Sequence, residues 1–416
     1  MGTLGGICSL NISIDKASNK KPPSFWTNQS LLALWTGQGL SSIGTGIYQA
    51  GLAWEVVHIT GSTLAMGSIL IASTMPVIVF SLWGGALGDR IPKRRILIFI
   101  DFFRWVVSMI WAFTLFGRDP SVGELYVFSI FLGFTQAFFK PAYSALIPDL
   151  IEKKQISRAV GINQLIMRSA DILGPSLGGV LIAYTSFGMV VMVNALTFSL
   201  AYGLNFLLPN LFPQKTEKGS PLRHIRSGIR YFIQEPAVFW SVILITFANL
   251  SAVTIQVNLP QFIQIDLNWT PQTYGIVISC YGLGTTVAFL FLSVFSLKKR
   301  RGMLYLITLF TGGTMFLFFP LVHFSWQLGG LLFIMGVVFG LTGAISITLT
   351  QELTQQAYRS RVMGIVTVSG ALMPLGYGLW GALGDYLHNT VVFLAAGSFI
   401  CLVALIGGKT PLRKTN

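Results

Sequence analysis

Arg168 and Asp171 stand three residues apart inside the apolar run 159–184. A charge inside hydrocarbon costs a few kcal/mol, ~2.5–3.5 on insertion scales, so its default reading is functional. On a helix the two side chains share one face, about 15 to 20 Å from the inner end at a rise of ~1.5 Å per residue. Two chemistries fit this spacing. Either the pair neutralises itself as a structural ion bridge, or Asp171 gains and loses a proton while Arg168 favours its ionised form or receives an anionic substrate group. A second group comprises Asp101 and Arg104 in the run 95–116 and Lys140 in the run 123–147. They lie at comparable depth nearer the inner side, and an Asp101–Lys140 or Asp101–Arg104 bridge that opens with an inner gate is the favoured reading. Glu55, Asp266 and Asp385 fall at the ends of runs, where solvent can reach them.

Other chemistries find no residues to carry them. The four His residues sit in loops or at run ends, with no Ser-His-Asp arrangement. Cys8, Cys280 and Cys401 have no metal-ligand spacing and form no disulfide framework. No Gly-rich phosphate loop of the ATP-binding kind is present. The chain therefore reads as a non-enzyme without cofactor or metal, and any work it does must draw on an ion or substrate gradient.

The elements that hold these charges are set by composition. Of 416 residues, 53% are hydrophobic and only 10% charged, against about 25% charged in a soluble domain. Twelve apolar runs approach the ~20 residues that a bilayer core requires. They lie at roughly 31–57, 62–84, 95–116, 123–147, 159–184, 187–208, 238–264, 271–296, 303–322, 326–350, 361–384 and 390–408. An all-α membrane protein of twelve helices follows. Lys and Arg alternate between loops: they crowd 90–95, 153–158, 215–230, 298–301, 359–361 and 409–414, and the loops between have almost none. By the positive-inside rule both termini face the cytoplasm. The net charge of +14 thus reports topology and not a nucleic-acid surface. Residues 1–25 hold no continuous apolar core ahead of a cleavage site, so no removable signal peptide is expected.

The long polar connection 210–237 divides the chain into halves at 31–209 and 238–408, with cytoplasmic tails at 1–30 and 409–416. Within it Leu222, Ile225, Ile229 and Phe232 recur at near-helical spacing opposite basic residues, as in an amphipathic helix on the inner surface or a solvated linker. The halves repeat. Asp149-Leu150 and Ser157-Arg158-Ala159-Val160-Gly161-Ile162 pair with Glu352-Leu353 and Ser360-Arg361-Val362-Met363-Gly364-Ile365 at a constant offset of 203 residues. Such duplicated six-helix halves build many secondary transporters, with the substrate site between them. At this offset Arg168, Asp171 and Lys140 face Ala371, Pro374 and Gly343, so the buried charges belong to the first half alone.

Gly85-Ala86-Leu87-Gly88-Asp89-Arg90-Ile91-Pro92-Lys93-Arg94-Arg95 resembles the loop joining helices two and three in the major facilitator superfamily, with Pro92 where the family usually has Gly. Phe139-Lys140-Pro141-Ala142, Gly174-Pro175-Ser176-Leu177-Gly178-Gly179, Ser360 to Gly364 and Gly381 to Asp385 resemble its drug-exporter branch, which includes macrolide efflux proteins and the enterobactin exporter. The resemblance implies export of a hydrophobic or amphipathic small molecule by alternating access, with proton antiport as the drive and a monomer in the plasma membrane. A siderophore or metabolite exporter and a lysolipid flippase remain as alternatives. It implies a cavity lined by spans one, four, seven and ten, with Gln38, Tyr48, Gln49, Gln136, Gln256 and Asn258 as polar liners. It also implies an inner latch: Asp89 faces the start of span eleven and Arg361, while Arg90 and Arg94 reach Asp149 or Glu152. Many proton-coupled exporters carry Arg-x-x-Gln-Gly in helix four. Here Gln136 remains but Gly133 stands at the Arg position, so Asp171 is a proton site on its own merits.

Overall fold

The computed structural model describes residues 27–211, 229–294, 300–356 and 358–414. The helices in order are α1 (Gln29–Thr60), α2 (Thr63–Gly88), α3 (Lys93–Thr114), α4 (Val122–Asp149), α5 (Ile156–Tyr184), α6 (Phe187–Asn205), α7 (Pro236–Ala252) and α8 (Thr254–Gln261). They continue as α9 (Pro271–Val294), α10 (Arg301–Phe316), α11 (Ser325–Leu353), α12 (Arg359–Gly370), α13 (Met373–Tyr386) and α14 (Asn389–Gly408). Most of the connection 210–237, including the proposed amphipathic stretch at Leu222 and Ile225, lies outside the described residues.

Nine of the described helical stretches are long and apolar enough to cross a membrane. One of them joins α7, α8 and a short π-helical turn at Phe262–Asp266. Three expected spans take a different form. α1 is long but carries Gln, Ser, Thr and Gly along its length. α10 stops at Phe316, and Pro320 follows in a 3-10 turn at Phe319–Leu321. The expected helix 361–384 breaks at 371–372, because Pro374 has no N–H for the carbonyl of Gly370 and its ring disfavours a continuous helix.

The helices begin where short polar side chains can satisfy their free N–H groups. Asn28 accepts from Leu31 at the start of α1, Ser62 from Ala65 at α2, and Ser121 with Glu124 forms a reciprocal capping box at α4. The turn between α1 and α2 needs Gly61, whose φ of 61° lies in the left-handed region.

The packing scheme repeats as the bounds do. Adding 203 to α4 gives 325–352 against the observed Ser325–Leu353, and adding it to α6 gives 390–408 against Asn389–Gly408. Within the first half α1 packs on α5 and α6, α2 on α4, and α3 on α6. In the second half α9 packs on α11, α10 on α14, and α7 on α14. The halves meet through α2 against α13 and α5 against α9. Without a hydrophobic force between helices in lipid, such contacts depend on small residues that let backbones approach. A Cβ on Gly179 of α5 would lie 2.5 Å from the Pro271 carbonyl and 2.8 Å from Gly275 Cα of α9. The hydrogen bonds that join the halves, such as Ser176 to Ser279 and Gln261 to the Gly61 carbonyl, lie towards the ends of α5, α9 and α2 opposite the 90–95 hairpin. The molecule is therefore sealed on that side.

Candidate functional site

Two ion pairs sit inside the helical bundle, each formed by residues three apart on one helix. On α3, Arg104 Nη1 lies 3.9 Å from Asp101 Oδ1, and both side chains are buried. Asn205 of α6 donates to the other Asp101 oxygen at 2.8 Å. Arg104 donates through Nε to Thr135 and through Nη2 to Gln136, both at 2.8 Å. Its guanidinium also stacks over Phe139 at 4.8 Å and Phe198 at 5.5 Å. α3, α4 and α6 thus converge on one group. Lys140 does not pair with Asp101; it is exposed, one residue beyond the Phe139 that faces Arg104, so its ammonium points elsewhere.

On α5, Arg168 Nη1 donates to Asp171 Oδ2 at 2.9 Å, and the two side chains are 37% and 54% exposed. Arg168 lies over the Phe289 ring of α9 at 5.1 Å. A Cβ on Gly282 of α9 would come within 3.0 Å of the Asp171 carbonyl. This pair therefore occupies the boundary between the halves, three residues before Gly174, where α5 closes on α1.

The expected cavity liners divide. Gln49, Gln136 and Gln256 are exposed and Gln38 is half-buried. Gln38 donates to Ser42 at 3.1 Å, and Gln256 accepts from the Tyr377 hydroxyl at 3.1 Å. Tyr48 and Asn258 are buried and do not line open space. Tyr48 is held edge-on to Phe128 at 5.4 Å and beside Phe187 at 6.1 Å, inside the first half. Asn258 donates to the Trp380 carbonyl at 3.2 Å and packs against Gly384. Glu55, expected to be solvated, is only 5% exposed.

Around the hairpin, Asp89 ends α2 as its C-cap, and Arg90 is exposed. Asp149 takes Lys93 as its partner at 2.5 Å, in place of Arg90 or Arg94. Arg94 instead donates to the Phe206 carbonyl at the end of α6 at 2.8 Å. The reason is position: Lys93 is the first residue of α3 and stacks beside the last turn of α4, where it also reaches the Ala145 carbonyl at 3.2 Å. Arg361 lies over its neighbour Tyr358 at 5.2 Å.

Sequence reading missed one arrangement. Gly133 faces the Ser73 carbonyl of α2 so closely that no side chain fits there. The guanidinium beside Gln136 comes from Arg104 of α3 instead. The paired absence of Arg at 133 and presence of Arg at 104 was the available signal. Among the described residues, no group of three His, Cys, Asp or Glu side chains is placed to hold a metal ion.

A twelve-run repeat, an all-helical bundle of two like halves and charges at their boundary define a membrane transporter. The model of the Major Facilitator Superfamily matches residues 34–376 and 250–414, and the chain belongs to that family. It is 27% identical over 406 residues to the uncharacterised MFS-type transporter YfiS of Bacillus subtilis, covering 92% of this chain and 94% of that one. It is 23% identical to the staphyloferrin A transporter of Staphylococcus aureus (86% and 91% covered) and 21% identical to macrolide efflux protein A of Streptococcus pyogenes (88% and 92%). The enterobactin exporter EntS of Citrobacter koseri is 22% identical, with 91% of each chain covered. In fold, the chain is similar to a bacterial homologue of the iron transporter ferroportin in its inward-facing state, with a TM-score of 0.67, 13% identity, and 93% and 100% of the two chains covered.

Proposed function

We propose that this protein exports a bulky amphipathic small molecule by alternating access and that a proton moving inward drives it. The observation that carries this reading is the half-exposed Arg168–Asp171 pair at the seam of α5 and α9. A carboxylate in that place can release its proton when the seam opens to one side and regain it from the other. Arg168 stabilises the ionised form while the site is empty. Proton and substrate compete for this pair, so substrate binding and proton capture are mutually exclusive and proton capture accompanies substrate release. The polar liners Gln38, Gln49, Gln136 and Gln256 orient the cargo, and the Phe-rich walls accept its apolar body. In this reading the protein is a monomer of twelve passes with both termini in the cytoplasm, and the sealed side faces outward.

The test is flux in proteoliposomes under an imposed pH gradient, with a macrolide as the first probe. Wild type accumulates the probe against its gradient, and Asp171→Asn binds it without accumulating it. Equal accumulation by the two proteins, or accumulation without a pH gradient, removes Asp171 from the mechanism. A second reading is favoured by the guanidinium of Arg168 and by the relatives named for siderophores: the cargo is an anionic metal chelator. In that case Arg168→Gln raises the probe concentration needed for half-maximal flux of an anionic chelator but leaves a neutral macrolide unaffected.

A further inference from the structure

The pentapeptide Gly-Ala-Leu-Gly-Asp occurs twice, at 85–89 and at 381–385. The two copies are not related by the 203-residue repeat. The first ends α2, and the second lies one residue before the end of α13. α2 and α13 pack against each other from opposite halves and run antiparallel, since Thr63 at the start of α2 meets Gly381 and Asp385 near the end of α13. The second copy therefore sits at the C-terminal end of α13 beside the N-terminus of α2, and the first sits at the far, C-terminal end of α2.

Among the described residues, only the second copy is engaged across the halves. Asp385 Oδ1 accepts from the backbone N–H groups of Thr63 at 2.7 Å and Leu64 at 3.2 Å, and lies 2.9 Å from the Thr63 hydroxyl. Its Oδ2 accepts from Ser62 at 2.5 Å. The carboxylate thus takes up two of the free N–H groups at the start of α2, where the helix dipole favours negative charge. Its glycines make the approach possible: a Cβ on Gly381 would lie 2.9 Å from the Thr63 carbonyl, and one on Gly384 would strike the Thr63 and Asn258 side chains. At the first copy, the same added atoms on Gly85 and Gly88 meet nothing within 4 Å. One pentapeptide is seated across the two halves; its twin packs Leu87 within the first half and leaves Asp89 exposed.

We infer that Asp385 is the outer latch of this transporter, released when the inner Gly85–Asp89 copy seats on the start of α12. The inference rests on the alternating-access reading above. It adds that α2 and α13 form a rocker with a carboxylate catch at either end, Asp385 closing on the start of α2 and Asp89 on the start of α12. Because a rigid contact cannot be closed at both ends, the two catches compete, and the difference between them sets the resting balance of states.

The experiment places spin labels on cysteines introduced at the exposed positions Ser186 and His323 on the sealed side and Glu152 and Gln356 on the hairpin side, with Cys8, Cys280 and Cys401 replaced. Distances are measured in lipid nanodiscs. Asp385→Ala lengthens the Ser186–His323 distance and shortens the other, moving the population by roughly 10-fold, the size expected for losing a helix cap. Asp89→Ala moves it the opposite way. Asp385→Asn, which keeps the side-chain volume and one acceptor oxygen, gives a smaller shift in the same direction and covers the case in which the alanine variant does not fold. Distances in Asp385→Asn and Asp385→Ala that match wild type, while Asp89→Ala still shifts them, overturn the outer latch and leave alternating access standing. A single unchanging population in every protein, at acidic and at neutral pH, overturns both.

Discussion

Asp101–Arg104 and Arg168–Asp171 are the same device in sequence: an acid and a base three residues apart in an apolar helix of the first half. Their surroundings are opposite. The α3 pair is enclosed by Asn205, Thr135, Gln136, Phe139 and Phe198, with side chains only 1% and 6% exposed. Its partners all come from the same half, so nothing in a movement between halves needs to disturb it. The α5 pair has one another, a ring from the opposite half and open space. Burial makes a charge pair dependent on complete satisfaction, whereas partial exposure at a seam makes it available for exchange. The first pair is enclosed by its own half, and the second, at the seam, is the one we propose changes its protonation or its partner.

The largest test of that contrast removes Arg104. Arg104→Leu leaves Asp101 charged and buried with Asn205 alone, and it should lower stability in detergent by about 3–5 kcal/mol. Thermal unfolding measures it, and a loss under 1 kcal/mol would show that the α3 pair is no staple. Asn205→Ala comes next, at about 1–3 kcal/mol, because one carboxylate oxygen loses its donor. By contrast, Asp171→Asn should leave unfolding nearly unchanged and reduce pH-driven flux at least ~10-fold, equivalent to ~1.4 kcal/mol of coupling. Loss of both stability and flux in that variant would erase the distinction between the pairs. Lys93→Ala gives the smallest effect. Its bridge to Asp149 is surface-exposed, so a change within about 1 kcal/mol is expected, and it sets the baseline for a charge pair with no enclosure.

Most of the helices, the repeat and the charges at 101, 104, 168 and 171 were legible in the sequence, because each follows from local composition and period; the break at 371–372 and the short α10 were not. Exposure was not. The i,i+3 spacing of the two acid–base pairs is identical, and only the arrival of Asn205 from α6 and Thr135 from α4 distinguishes them. The same limit explains Tyr48 and Asn258. Both are polar residues on spans assigned to the cavity, but a helix has a buried face as well as an open one, and the mean hydropathy of α1 hardly differs between them. Lys93 for Arg94 at Asp149 was a matter of one residue, the point at which α3 begins. Gly133 carried a usable signal: a glycine where a long side chain was expected implies a backbone passing close by, here Ser73 of α2.

The interruption at 371–372 has a consequence for motion on slow timescales. α5 stays one helix through Arg168 and Asp171, although Pro175 leaves the Asp171 carbonyl without its backbone donor, whereas its counterpart is divided into α12 and α13, joined by two residues. The piece that carries Asp385 is thus joined to the piece that begins at Arg359 through two residues outside the helical ladder. Amide protons at 371–373 should exchange with solvent deuterium well ahead of those at 168–171, making that joint the place where the second half first yields.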